Sequence, residues 1–213
     1  MDPAVVITQI VAFLFALSFH EAAHAWTADR LGDPTARQLG RVTMNPIAHI
    51  DPFMTILFPA LLMLAGLPPF GAAKPVPVVT RNLASPKRDH AWIAAAGPIS
   101  NVILAAACVL LLRLVIAQGW TLALLPASVL EPLTQLLFWS LQINLILAAF
   151  NMIPIPPLDG SWVLSSFLEG AAGAWYRSLQ PYGFLILMVL IWSGALSYFL
   201  RPVLTFGQLL VLL

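Results

Sequence analysis

The 213-residue sequence is 60% hydrophobic and only 9% charged, with a mean hydropathy of +0.90. Soluble domains carry roughly 25% charged residues, so this composition excludes a water-soluble globular protein and implies an integral membrane protein. A net charge of +1 without a basic cluster argues against a nucleic-acid partner. The single cysteine, Cys108, excludes an internal disulfide or a thiolate-rich metal site and reads as a small packing residue.

Five apolar segments follow one another: Pro3–Ala28, Pro52–Leu67, Ala91–Ala117, Pro132–Asn151 and Tyr182–Leu200. A helix needs about 20 apolar residues to cross a hydrocarbon core of roughly 30 Å. Four segments meet that length. Pro52–Leu67 is shorter, contains Pro59 and runs into Pro68, Pro69 and Gly71, which suits a re-entrant or kinked helix. Met1–Phe19 has no Lys or Arg ahead of its hydrophobic run and no small-residue cleavage site, so it reads as a retained span, not a cleaved leader.

Between the first and third apolar segments, Ala36–Asn45 suggests a short β-hairpin about Gly40, and Lys74–Val79 reads as an extended edge segment limited by its prolines. The expected fold is therefore an all-α polytopic membrane protein. It has about four spanning helices, one short re-entrant or kinked helix and a small hairpin or extended element. Residues 1–213 read as one domain, since no stretch is long and polar enough for an appended soluble one.

Ionisable groups at membrane depth are costly and mark function by default. His20-Glu21-Ala22-Ala23-His24 places two imidazoles at i and i+4, on one helical face, where both can reach one ion. Zinc takes neutral imidazole nitrogens and keeps one position open for water at catalytic sites. Glu21, beside the first ligand, can accept a proton from that water. A third ligand is needed, and Asp159 is the best candidate. It ends the run Asn151–Gly160, whose three prolines forbid regular helix, and irregular backbone is tolerated at membrane depth where it lines a polar cavity. Glu131 and Glu169, both at segment ends, are weaker candidates.

Taken together, HEAAHAW at 20–26, AAGPISN at 95–101 and NMIPIPPLDG at 151–160 resemble the site-2 protease family of intramembrane zinc metalloproteases. LGRVTMNPIAHIDP at 39–52 and KPVPV at 74–78 are similar to its compact, proline-rich branch. The resemblance implies one catalytic Zn²⁺ on His20, His24 and Asp159, with Glu21 as general base. Asn101 matches a family position near the active site. Its amide would orient the substrate backbone or stabilise an oxyanion, or else form a helix–helix hydrogen bond. One departure is Ser161, where the family often has a second glycine after Asp-Gly.

A shared ion also constrains topology. His20 lies about 25 Å along its helix from Pro3, near the far end of the first span. Asp159 lies just past the far end of Pro132–Asn151. The two spans must run the same way, with one complete crossing between them, so Pro52–Leu67 cannot cross fully. That arrangement puts Arg30, Arg37, Arg41, Lys74, Arg81, Lys87, Arg88 and Arg177 on one side and Arg113 and Arg201 on the other. The positive-inside rule makes the first side cytoplasmic. The expected setting is a multi-pass protein of a prokaryotic inner membrane, with its amino terminus outside and the site near the cytoplasmic face.

The expected partners are the lipid bilayer and a transmembrane protein substrate, hydrolysed in or next to its membrane helix. The extended segments at 36–45 and 74–79 would pair with the unwound substrate by edge addition, or serve only as structural loops. Competing readings are a prenyl-protein endopeptidase, whose third ligand would be Glu, a zinc transporter, and a non-catalytic membrane-protein binder. A transporter should spread ionisable groups along a path through several spans, whereas here they cluster at one depth.

Overall fold

The computed structural model describes residues 2–66, 71–117 and 126–212. The described chain is helical, and no strand occurs among these residues. Four helices are long and apolar enough to cross a membrane: α1 (Pro3–Arg30), α4 (Pro86–Ala117), α5 (Ala127–Asn151) and α9 (Ala195–Leu212). Between them lie α2 (Thr35–Gln38), α3 (Phe58–Leu64), α6 (Asp159–Phe167), α7 (Gly170–Ser178) and α8 (Gly183–Trp192).

Pro3, Ala117 and Asn151 bound helices as expected, while other boundaries moved. Helix α1 runs through Arg30 because Asp2 caps its start, accepting from the Ala4 N–H at 2.9 Å, and no breaker intervenes before Gly32. Helix α5 begins at Ala127, so Pro132 lies inside its first two turns. The expected span Tyr182–Leu200 is not one helix. Gly194, at φ +77°, breaks it, leaving the ten-residue α8 and the eighteen-residue α9. A left-handed residue cannot continue a right-handed helix, and Arg201 within α9 had masked its apolar character.

The second apolar segment is short, as its prolines suggested. Asp51 caps it, accepting from the Phe53 and Met54 N–H groups at 2.9 and 2.8 Å. A wide turn over Pro52–Leu57 follows, in which the Phe58 N–H reaches back five residues to the Phe53 carbonyl, and α3 ends before Gly66 at φ +72°. From Pro52 to Leu64 the rise is about 20 Å, well short of a roughly 30 Å core. Leu67, the last residue of the expected segment, lies outside the described residues.

The expected hairpin at 36–45 is absent. Asp33 accepts from both the N–H and the hydroxyl of Thr35, which starts α2 in place of a strand, and Gly40 at φ +68° turns the chain out of it. Lys74–Val79 is extended but forms no ladder, because Pro75 and Pro77 have no N–H to give. Two buried charges anchor its ends instead. Arg41, 5% exposed, donates to the carbonyls of Ala48, Lys74 and Pro75. Fully buried Asp33 accepts from the Val79 N–H at 2.6 Å and from the Asn82 amide at 2.8 Å. Burial pushes the Asp33 carboxyl up, but these donors and Thr35 outweigh it and hold it below the usual carboxylate value.

Contacts fix the helix directions. Ala16 and His20 of α1 meet Asn101 of α4, while His24 meets Ile93, so α1 and α4 are antiparallel. Asn101 meets Asn144 of α5, and Leu112 packs in a cluster with Ala105, Cys108, Val109 and Leu141. Helix α5 therefore opposes α4 and runs with α1, as a shared site requires. Cys108 sits in that cluster as a packing residue. Outward-facing Ile103 and Leu110 are 62% and 63% exposed, an apolar surface that only lipid or a membrane partner would cover.

Candidate metal centre

Three helices meet at one end of this bundle, and each brings its polar atoms by a different device. On α1, one turn of helix sets His20 over His24, their rings edge to face with centroids 4.6 Å apart. Outer partners fix both rings. His20 Nδ1 donates to Asn101 Oδ1 at 2.7 Å, and His24 Nδ1 donates to the Ile93 carbonyl at 2.7 Å. With the δ nitrogens carrying the protons, both Nε2 lone pairs point inward, 3.0 Å apart.

Helix α4 supplies the floor. Its residues Ile93, Gly97 and Asn101 recur on one face at helical spacing. Any Cβ at Gly97 would overlap both imidazoles, so only glycine lets the α4 backbone approach them. Asn101 is fully buried and its amide is spent inside the protein. Its NH₂ donates to Asn144 Oδ1 at 2.8 Å and to the Ala16 carbonyl at 3.3 Å. No amide hydrogen is left for a substrate oxygen. The helix–helix alternative is what the structure displays, with the added task of orienting His20.

The third side is Asp159, the first residue of α6. Its Oδ2 stands 3.1 Å from His20 Nε2 and 3.3 Å from His24 Nε2, buried and without a hydrogen-bond donor. Loop 152–158 delivers it. Tyr176 of α7 donates its hydroxyl to the Pro154 carbonyl at 2.8 Å, and Gly183 of α8 lies against Pro156 so closely that a Cβ would overlap it. Gly160 likewise has no room for a Cβ beside the Met152 carbonyl.

Three lone-pair atoms thus converge on one point, an arrangement that a cation between them would satisfy. Ligands about 2.0–2.1 Å from a tetrahedral centre stand roughly 3.3 Å apart, close to the separations of 3.0, 3.1 and 3.3 Å found here. The donor set of two nitrogens and one oxygen fits zinc. Glu21 is buried beside it at 8% exposure, and among the described residues no donor reaches its carboxylate. Glu131 and Glu169 do not join the cluster. Glu131 lines an apolar cleft of about 570 Å³ with Leu112, Ile116 and Thr134, and exposed Glu169 faces Lys87 at 3.6 Å.

The model of peptidase family M50 matches residues 8–130 and 116–193, spanning all three of these elements. The chain belongs to peptidase family M50. This is the site-2 protease family that its motifs resemble. This M50 member is similar to "Putative zinc metalloprotease YwhC" of Bacillus subtilis, at 39% identity over 97% of this chain and 88% of the relative. It is also similar to "Putative zinc metalloprotease Rip2" of Mycolicibacterium smegmatis, at 32% identity over 91% of this chain and 70% of that one. The Rip2 of Mycobacterium tuberculosis strain H37Rv is 26% identical over the same shares. No solved structure matches the chain.

Asn144, the Ile93 carbonyl, Tyr176 and the packing role of Gly97 escaped the sequence reading. Gly97 carried a signal, lying inside AAGPISN one turn before Asn101. Asn144 carried a weaker one, an amide within an apolar helix that also holds Gln135, Gln142 and Asn151. A backbone carbonyl carries none.

Proposed function

We propose that this chain is a zinc-dependent intramembrane endopeptidase that cleaves a peptide bond in or next to a transmembrane segment of a membrane-protein substrate. The observation that carries the reading is the convergence of His20 Nε2, His24 Nε2 and Asp159 Oδ2 beside a buried Glu21. The relatives' names point the same way.

Zinc held by these three residues would acidify a water molecule and polarise a carbonyl oxygen. Glu21 takes the proton from the attacking water and returns it to the leaving amine, a general acid–base role. Among the described residues no hydrogen-bond donor holds its carboxylate, which leaves it available for this role. Asn101 and the Ile93 carbonyl keep the imidazoles in the tautomer that leaves Nε2 available. Gly97 lets the α4 backbone close directly onto the rings.

A peptide bond inside a helix is shielded by its own hydrogen bonds, so the substrate must unwind locally. Val76 and Val78, in the extended segment between the Arg41 and Asp33 anchors, have unpaired backbone groups among the described residues. They offer the unwound substrate an edge to pair with. In the 36–45 segment α2 takes up the residues to Gln38 and Gly40 turns the chain, so no strand forms there. The basic residues of the connectors and the positive-inside rule favour a cytoplasmic site and an external amino terminus.

The test is Glu21→Gln in the purified protein with zinc bound and a candidate membrane substrate. Zinc content should be retained while cleavage falls by at least about 10²-fold. Undiminished cleavage would remove Glu21 from its role. Comparing the membrane proteome of cells carrying either form would then reveal substrates as proteins that accumulate uncut.

A further inference from the structure

Beyond the three ligands and Glu21, one aromatic pair ties together the two helices that the proposed zinc ligands do not join. His90 of α4 lies against Trp162 of α6, with ring centroids 4.3 Å apart and planes 33° from parallel. His90 is three residues before Ile93, whose carbonyl accepts from His24, and shares the face that carries Ile93, Gly97 and Asn101. Trp162 is three residues after Asp159, one turn along α6.

A closed triangle results. The His24–Ile93 hydrogen bond joins α1 to α4. The Asp159–His pairs join α6 to α1. The His90–Trp162 stack joins α4 to α6, each corner being one helical turn long. The stack lies one turn from the Ile93 carbonyl on α4 and one turn from Asp159 on α6, and so at the edge of the site. Asp159 arrives on an irregular loop, and α6 has no side-chain cap at its start. Something must set its rotation about its own axis, since a small roll would swing Oδ2 away from the imidazoles. Two rings in contact at 4.3 Å, tilted by 33°, present a broad rigid face that opposes such a roll.

We propose that His90 and Trp162 are a positioning pair that fixes the roll of α6 and so sets Asp159 onto the His20–His24 pair. The inference rests on the zinc reading above. Imidazole acts here as a flat ring, so phenylalanine should replace it and alanine should not.

The test is zinc affinity of the full-length protein in detergent, measured by competition with a fluorescent chelator. The first measurement is on the unaltered chain, where failure to bind one zinc would sink the underlying reading and this inference with it. Given binding, His90→Ala and Trp162→Ala should each weaken it roughly tenfold, the scale of lost outer-sphere support. His90→Phe and Trp162→Phe should bind as the parent does. The double alanine variant should be no weaker than either single one, because the two rings act as a unit.

Lys87→Met serves as control, removing a peripheral tie between the same helices, the 3.1 Å bond from Lys87 Nζ to the Leu168 carbonyl. Its zinc affinity should be unchanged. Unaltered affinity in His90→Ala would overturn the proposal. So would His90→Phe as weak as His90→Ala, which would assign the role to a ring nitrogen, or an equal loss in Lys87→Met, which would reduce the stack to general packing.

Discussion

The two halves of the site are built on opposite principles. His20 and His24 sit mid-helix on α1, pressed by α4 and held through Asn101 and the Ile93 carbonyl. Asp159 follows a proline-rich loop and is held from a distance, by Tyr176 on α7 and by Gly183 on α8. In the first half, helix geometry itself sets the ligand spacing. In the second, tertiary contacts must do what secondary structure does not. Damage to the first half should therefore be severe and local, and damage to the second graded and transmitted.

The largest effect is expected at Gly97. Gly97→Val puts branched carbons where both imidazoles stand, and a helix backbone cannot retreat without dragging Asn101 and Ile93 with it. Metal analysis of the purified variant should find zinc essentially lost, even where the protein still inserts and remains monodisperse. Full zinc occupancy in Gly97→Val would mean that the close approach of α4 is not what shapes the site.

Asn101→Leu should come next. It removes the acceptor for His20 Nδ1 and strands Asn144 Oδ1 in an apolar interior. Loss of such an outer partner costs about 10–100-fold in metal affinity, readable by chelator competition. The result also separates the orientation of His20 seen in the structure from the substrate contact that the sequence suggested for Asn101. A residue that orients His20 lowers zinc affinity, whereas one that binds substrate raises KM and leaves zinc untouched.

That ambiguity shows what could be read before the structure and what could not. The i, i+4 histidines were legible because helix geometry converts spacing directly into a shared face. The ligand hypothesis in turn required a short second segment, and Pro52–Leu64 is short. The hairpin at 36–45 failed because Asp33, two residues upstream of Thr35, redirects the chain into α2, a capping interaction that strand periodicity does not report. The break at Gly194 was overlooked for a similar reason. Hydropathy averages over a window, while a single left-handed residue decides where a helix stops. Asn101 was visible as a polar residue at depth, but the partner that uses each end of its amide is a property of three packed helices.

The smallest effect, and the one that tests the second half directly, is expected from Tyr176→Phe. The variant keeps the ring, which is 7% exposed, and deletes only the hydroxyl that donates to the Pro154 carbonyl. Burial pushes the Tyr176 phenol above its ordinary pKa, so it remains a donor throughout the neutral range and the bond is not lost to titration. An isolated hydrogen bond of this kind is worth about 1 kcal/mol, which bounds the loss of zinc affinity near fivefold if all of it reaches Asp159. Gly183 and the His90–Trp162 stack still hold the loop and α6, so the measured loss should fall below that bound, with no change in the pH dependence of cleavage. A loss as large as that of Asn101→Leu would show that the loop half is as rigidly coupled to the metal ligands as the helical half. In that case the contrast between the two halves would be one of construction only, without a difference in tolerance.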